Sequence, residues 1–157
     1  MIDDRLNFNT HVNYACEKAA KAINALARIM PNNAGSCSSK RRLLASESSS
    51  ILRYGGPIWI ATLETQRNRV KLSSTFRLMA KRVASAYRTN SSEAVCVIAG
   101  MIPIGIILTE DMEDKRKGTR GIRKTRRTGS MAKWQHDWDS SEKGRWTRKL
   151  IRFSRPG

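Results

Sequence analysis

Apolar residues recur along this chain at helical spacing and almost never alternate. Val12, Cys16, Ala19, Ile23, Leu26 and Met30 follow one another at steps of four, three, four, three and four, which puts all six on one helix face. Asn9 or Thr10 can cap that helix, and Pro31 with the Asn32-Asn33-Ala34-Gly35 turn ends it. A second helix is predicted from Ser38 or Ser39, with Lys40, Arg41 and Arg42 in its first turn and Leu43, Leu44, Glu47, Ile51, Leu52 and Tyr54 after them. Cations at a helix start oppose its dipole, a hint of something negative nearby. Ser46 and Ser48 to Ser50 lower the propensity, so tertiary contacts must hold this segment. Gly55-Gly56-Pro57 breaks it before Ile58, Trp59 and Ile60.

A third, longer helix is predicted from about Leu63 to Tyr87, with Leu72, Phe76, Met79, Val83 and Ala86 as its stripe and basic residues over much of the rest. A short helix runs from a Ser91 or Ser92 cap to Ala99, with Gly100 as its stop. Ile104 to Asp114 forms a further short helix that turns acidic from Glu110 to Asp114. The pattern therefore predicts an all-α body, a small helical bundle, since each buried Leu, Ile, Val, Phe or Met contributes roughly 1.5–3 kcal/mol. Residues 115–130 carry one large apolar side chain and are expected to be a flexible basic linker or arm. Structure resumes near Met131 in short Trp-rich helices, where Trp134 and Trp138 share one face and Trp146, Leu150 and Ile151 another. Helical spacing makes Trp134 and Trp138 core residues first, and rings for stacking on bases second. An apolar fragment this small, without a partner, suggests an incomplete domain.

Charge sharpens the division. The 157 residues hold 30 Lys and Arg against 13 Asp and Glu, a net +17. Residues 115–157 hold fifteen basic and three acidic residues, so +12 of that +17 sits there and only +5 on residues 1–114. A nearly balanced body with a strongly basic tail favours a polyanion partner. The same tract fits a nuclear-import signal, which places the protein in the nucleus with a cytoplasmic RNA-bound phase. The longest apolar run, Cys96 to Leu108, is broken by Gly100, Pro103 and Gly105 and is too short to span a bilayer, so no membrane partner is expected. Residues 1–10 are polar and acidic, with no signal peptide.

Catalytic constellations do not emerge. Asp3-Asp4 is an isolated acidic pair, and Glu110 to Asp114 lacks the spacing of a calcium loop and reads as surface charge, folded back on the basic arm. His11 and His136 have no partner at a suggestive spacing, and Gly55-Gly56 and Gly118/Gly121 lack the strand-then-helix context of a phosphate loop. Cys16, Cys37 and Cys96 suit neither a disulfide framework nor zinc, and Cys16 and Cys96 read as small core residues. No metal and no cofactor are expected.

Several stretches in succession resemble a known family: Ile2 to Phe8 with His11-Val12, Arg28 to Asn32, Arg41 to Leu44, Ser50 to Trp59, Arg82 to Thr89, Val97 to Gly100 with Pro103-Ile104, and the Trp134 to Ile151 block. Their order across nearly the whole chain resembles the reverse transcriptase polyprotein of non-LTR retrotransposons, closest to the clade that inserts into ribosomal DNA. The resemblance implies that residues 1–8 look like the exit from the polymerase palm. It makes 1–114 a thumb-like helical region, 115–130 a basic linker, and 131–157 a truncated Trp-containing helical segment. In that family the metal-binding aspartates lie upstream, so Asp3-Asp4 does not match them and the chain is expected to be inactive alone as an RNA-directed DNA polymerase. The family's zinc knuckle lies downstream of the Trp block, so no zinc is implied. Arg53 stands where an aliphatic residue is usual, and residues 154–157 depart from the expected continuation, which points to a decayed copy or a displaced gene end.

The expectation is a non-catalytic grip on RNA or an RNA–DNA template–primer duplex. Its phosphate partners would be Arg41, Arg42, Arg67, Lys71 and Lys81, with Lys115, Arg116, Lys117, Arg120, Arg123, Lys124, Arg126 and Arg127 of the arm. The alternatives are a host-encoded helical adaptor whose basic tail docks on an acidic protein surface, and a non-functional decayed copy. Oligomeric state is not legible.

Overall fold

Small residues set how the first helices meet. In the computed structural model, which describes residues 8–29, 38–86, 89–117 and 123–144 together with 147 and 149, α1 spans Asn9–Ile29 and α2 spans Ser38–Arg53. α1 buries Val12, Ala15, Cys16, Ala19 and Ile23, the stripe its periodicity predicts. The Leu26 side chain and Met30 lie outside the described residues. α2 buries a different face from the one expected: Arg41, Ala45, Ser48 and Leu52 turn inward, while Leu43 is 72% and Tyr54 77% exposed. The reason is steric: Ala45 and Ser48, at the middle of the face between Arg41 and Leu52, are short enough to let α2 pack on both α1 and α4.

Gly55 takes the left-handed conformation (φ 67°), and Gly56 starts the one-turn α3, Gly56–Trp59. A Cβ on Gly56 would stand 2.6 Å from Leu108 Cδ2, so the glycine is what lets α3 lie on α6. Trp59 is buried, and its indole Nε1 donates to the Tyr54 carbonyl at 2.9 Å. A 3-10 turn, Ile60–Glu64, leads into α4, Gln66–Ala84. α4 is the central helix: it packs on α1, α2, α5 and α6 and buries Leu72, Phe76, Met79, Ala80 and Val83. It ends at Ser85, in the left-handed region at φ 50°, ahead of the predicted Tyr87.

α5, Ser92–Ala99, has the expected ends. Ser91 Oγ accepts from the Ala94 amide, and Gly100 (φ 62°) closes the helix with its own amide on Val97 O and that of Met101 on Cys96 O. α6, Ile104–Lys117, buries Ile104, Ile106, Leu108 and Glu110.

The stretch expected as a flexible linker differs most. α6 continues through Lys117, and α7 runs as one helix from Arg123 to Ser140, so the described parts of 115–130 are helical; residues 118–122 lie outside the description. Trp134 and Trp138 anchor α7 in the core, and once a helix is nucleated each added residue gains a backbone hydrogen bond for one residue fixed. Lys and Arg have good helix propensity, so the basic stretch extends that helix backwards. The pair Arg127–Glu110 (3.3 Å) ties it to α6. Among the described residues the fold is all-α, a small helical bundle without strands.

Candidate nucleic-acid interface

The bundle sorts the basic residues into those already occupied and those facing outward. Arg42 is occupied: its Nη2 donates to the Ala99 carbonyl at 2.7 Å and lies over Gly100, so the guanidinium caps the negative end of α5. Lys71 donates to Asn13 Oδ1 at 2.6 Å and stands 3.9 Å from Glu17. Arg127 pairs with the nearly buried Glu110, which also gives the acidic run its place folded back on the basic stretch. Lys81 is half-buried. Arg67 on α4 and Lys115 and Arg116 at the end of α6 are exposed. The side chains of Lys117, Arg123, Lys124 and Arg126, and the whole of Arg120, lie outside the described residues.

Helix α4 organises one flank. Arg67, Lys71 and Arg82 are spaced by four and eleven residues, which keeps them on one side of an α-helix. That side adjoins α1: Lys71 reaches Asn13, and Arg82 shares a pocket with Ile23 and Ala27. From Arg67 to Arg82 the row covers about 22 Å. At its far end α1, α2 and α4 enclose a pocket of about 20 Å3, room for a single water molecule. Arg41 and Arg82 line it, with Ala45, Met79 and Val83. Arg82 is absent from the expected phosphate partners, because one more arginine on a basic helix face looks like its neighbours until α2 is placed beside it.

The described indoles are buried. Trp134 is 4% and Trp138 2% exposed, so both are core and neither offers a face to a base. Gly144 (φ 83°) turns the chain over Trp138, with its Cβ position 3.2 Å from the indole and from Ser91 Oγ. His11 stands 6.1 Å from the Trp59 ring and is part of the packing, while His136 is exposed. Among the described residues the exposed tyrosine rings are Tyr14 and Tyr54, and Lys18 lies over Tyr14; Trp146, Leu150 and Ile151 lie outside them. Burial pushes the Cys16 and Cys96 thiols up, Cys96 to about 12, and both are free. Among the described residues no three His, Cys, Asp or Glu side chains gather as a metal site; Asp3, Asp4 and Cys37 lie outside them. No described helix is long and apolar enough to cross a membrane, though α5 and α6 together pass that test of length and composition as a pair bent by 66°.

Nearly the whole chain aligns with one segment of two retrotransposon proteins. Over 175 aligned positions it is 26% identical to the 115 kDa protein attributed to the type-1 retrotransposable element R1DM of Drosophila melanogaster, covering 97% of this chain. It is 26% identical to the retrovirus-related Pol polyprotein from type-1 retrotransposable element R1 of Bradysia coprophila, covering 96% of this chain. The two matches support a retrotransposon-derived chain. The chain spans 17% of the length of either relative. No family model and no solved structure matches it.

Proposed function

We propose that this chain is the helical thumb segment of a reverse transcriptase of the ribosomal-DNA-inserting non-LTR clade. In this reading it holds RNA, or an RNA–DNA template–primer duplex, by the sugar–phosphate backbone and makes no bonds itself. The observation that carries the reading is the opposition of charge and rings: the basic residues Arg67, Lys115 and Arg116 face solvent while Trp134 and Trp138 are sunk in the core. A surface of that kind grips phosphates and leaves bases unread. The similarity to R1 polyproteins supports the polymerase context, and the basic stretch supports residence in the nucleus.

The test is fluorescence anisotropy with a labelled RNA–DNA hybrid over a salt series. With about six to eight phosphates engaged, log K falls against log salt with a slope near −5 to −7. Hybrids of unrelated sequence bind alike, and an acidic peptide at equal charge competes poorly. Affinity indifferent to salt rejects the reading, and displacement by the acidic peptide favours a protein-docking adaptor. A primed template incubated with the chain and nucleotides shows no extension.

A further inference from the structure

We propose that Arg41 and Arg82 form a seat for one phosphate group at the mouth of the pocket between α1, α2 and α4. The identification of that phosphate as a nucleic-acid backbone phosphodiester rests on the function proposed above. Arg41 is 8% exposed, and its Nε is fully covered without a hydrogen-bond partner. Long cationic side chains ordinarily bury the stem and keep the head in water; here the covering reaches Nε of the head as well. Arg82 lines the same pocket from α4, and the remaining wall is the apolar surface of Ile23, Ala27, Ala45, Met79 and Val83. Among the described residues no carboxylate pairs with either guanidinium.

Two like charges beside an apolar wall, one of them largely buried, repel each other and lack a counterion among the described residues. The position adds to the strain, since Arg41 is the fourth residue of α2, where the helix dipole disfavours a cation. A single anion answers all three demands. Guanidinium groups bind phosphate through paired N–H donors, and two of them lining one opening would set its position. The enclosed volume of about 20 Å3 admits one oxygen and excludes a base or a sugar, so the ligand is a phosphate whose remaining atoms stay outside. This makes the pocket the fixed end of a track whose other end on α4 is the exposed Arg67.

Two measurements on the full chain separate the claims. The first is thermal melting in sodium phosphate against sodium chloride at equal ionic strength. The seat predicts that phosphate raises the Tm of the native chain, and that Arg82→Gln, an exposed position that does not threaten folding, abolishes the rise. Arg41→Met abolishes it too and in chloride melts no lower than the native chain, because it removes a charge without a partner. The second is anisotropy with the hybrid, where Arg82→Gln flattens the salt slope by about 1. A phosphate-specific rise lost in both variants, with no hybrid binding by the native chain, upholds the seat for free phosphate and overturns the proposed function. Hybrid binding with a full slope in both variants, and no phosphate effect on melting, overturns the seat and leaves the function standing.

Discussion

The guanidinium of Arg53, the last residue of α2, meets the Asp111 carboxylate of α6 through two hydrogen bonds, Nε to Oδ2 at 2.8 Å and Nη2 to Oδ1 at 2.6 Å. The fork joins elements 58 positions apart in sequence. It also raises the guanidinium's affinity for its proton, chiefly through the hydrogen bond to Asp111. Arg53 therefore keeps its charge paired and partly in water at the end of α2. The side chains are 41% and 21% exposed, so water screens the pair. A double-mutant cycle with Arg53→Leu and Asp111→Ala, read by urea unfolding, should give a coupling of about 0.5–1 kcal/mol that shrinks in molar salt. A coupling of zero at low salt means that the fork contributes nothing in solution.

Ser48 is fully buried in α2, and its Oγ has no hydrogen-bond partner. A hydroxyl in that state is a cost without a return. Ser48→Ala fits the same space and gains helix propensity, so it should stabilise the chain by about 1 kcal/mol. A rise in the urea midpoint at unchanged slope checks this; a fall shows that the hydroxyl has a partner in solution.

Gly56→Ala should destabilise by about 1–3 kcal/mol, because the new methyl meets Leu108 and Leu108, with no exposed surface, has nowhere to go. Gly105→Ala is the control. Nothing lies within 4 Å of its Cβ position in α6, and alanine there should stabilise by about 0.5–1 kcal/mol. Equal melting temperatures for the two variants exclude the close approach of α3 and α6.

Desolvation pushes Cys96 from an ordinary 9.0 to about 12, with Glu93 adding to the push, and it raises Cys16 in spite of a hydrogen bond from Thr75 and the charge of Lys71. The fold favours the protonated thiol. Its contribution is whole below pH 9.0 and is lost as pH rises through about 12, so the alkaline limb of the stability curve should flatten in Cys96→Ala. At roughly pH 8 iodoacetamide should leave both thiols intact in the native chain and label both in urea. Peptide mass mapping reads this, and native-state labelling at the rate of an exposed thiol contradicts the burial.

Where hydrophobicity and burial coincide, the sequence was sufficient. The α1 stripe and the ends of α5 at Ser91 and Gly100 need only periodicity and cap chemistry, which are local. α2 escaped apart from Leu52, because the rest of its buried face is the charged Arg41 and the short Ala45 and Ser48, the last two set by the close approach of the helices opposite. The basic stretch escaped for a related reason: its helicity comes from Trp134 and Trp138 downstream and Glu110 upstream, and composition alone reads as a coil. For the candidate interface, charge gave the expectation of a polyanion partner but not which cations are free. Arg42 proved to be a helix cap and Arg82 a member of the pocket, and both roles depend on pairs of helices far apart in sequence.

Winding residues 123–130 into α7 shortens their grasp. As a coil, eight residues stretch to roughly 26 Å; as a helix they cover about 12 Å. A stiff rod lies across a polymer at one crossing, where a supple tether would trace its contour. Docking would then turn on the angle at which the Glu110–Arg127 clasp sets α7 against α6, and breaking that clasp would trade direction for span.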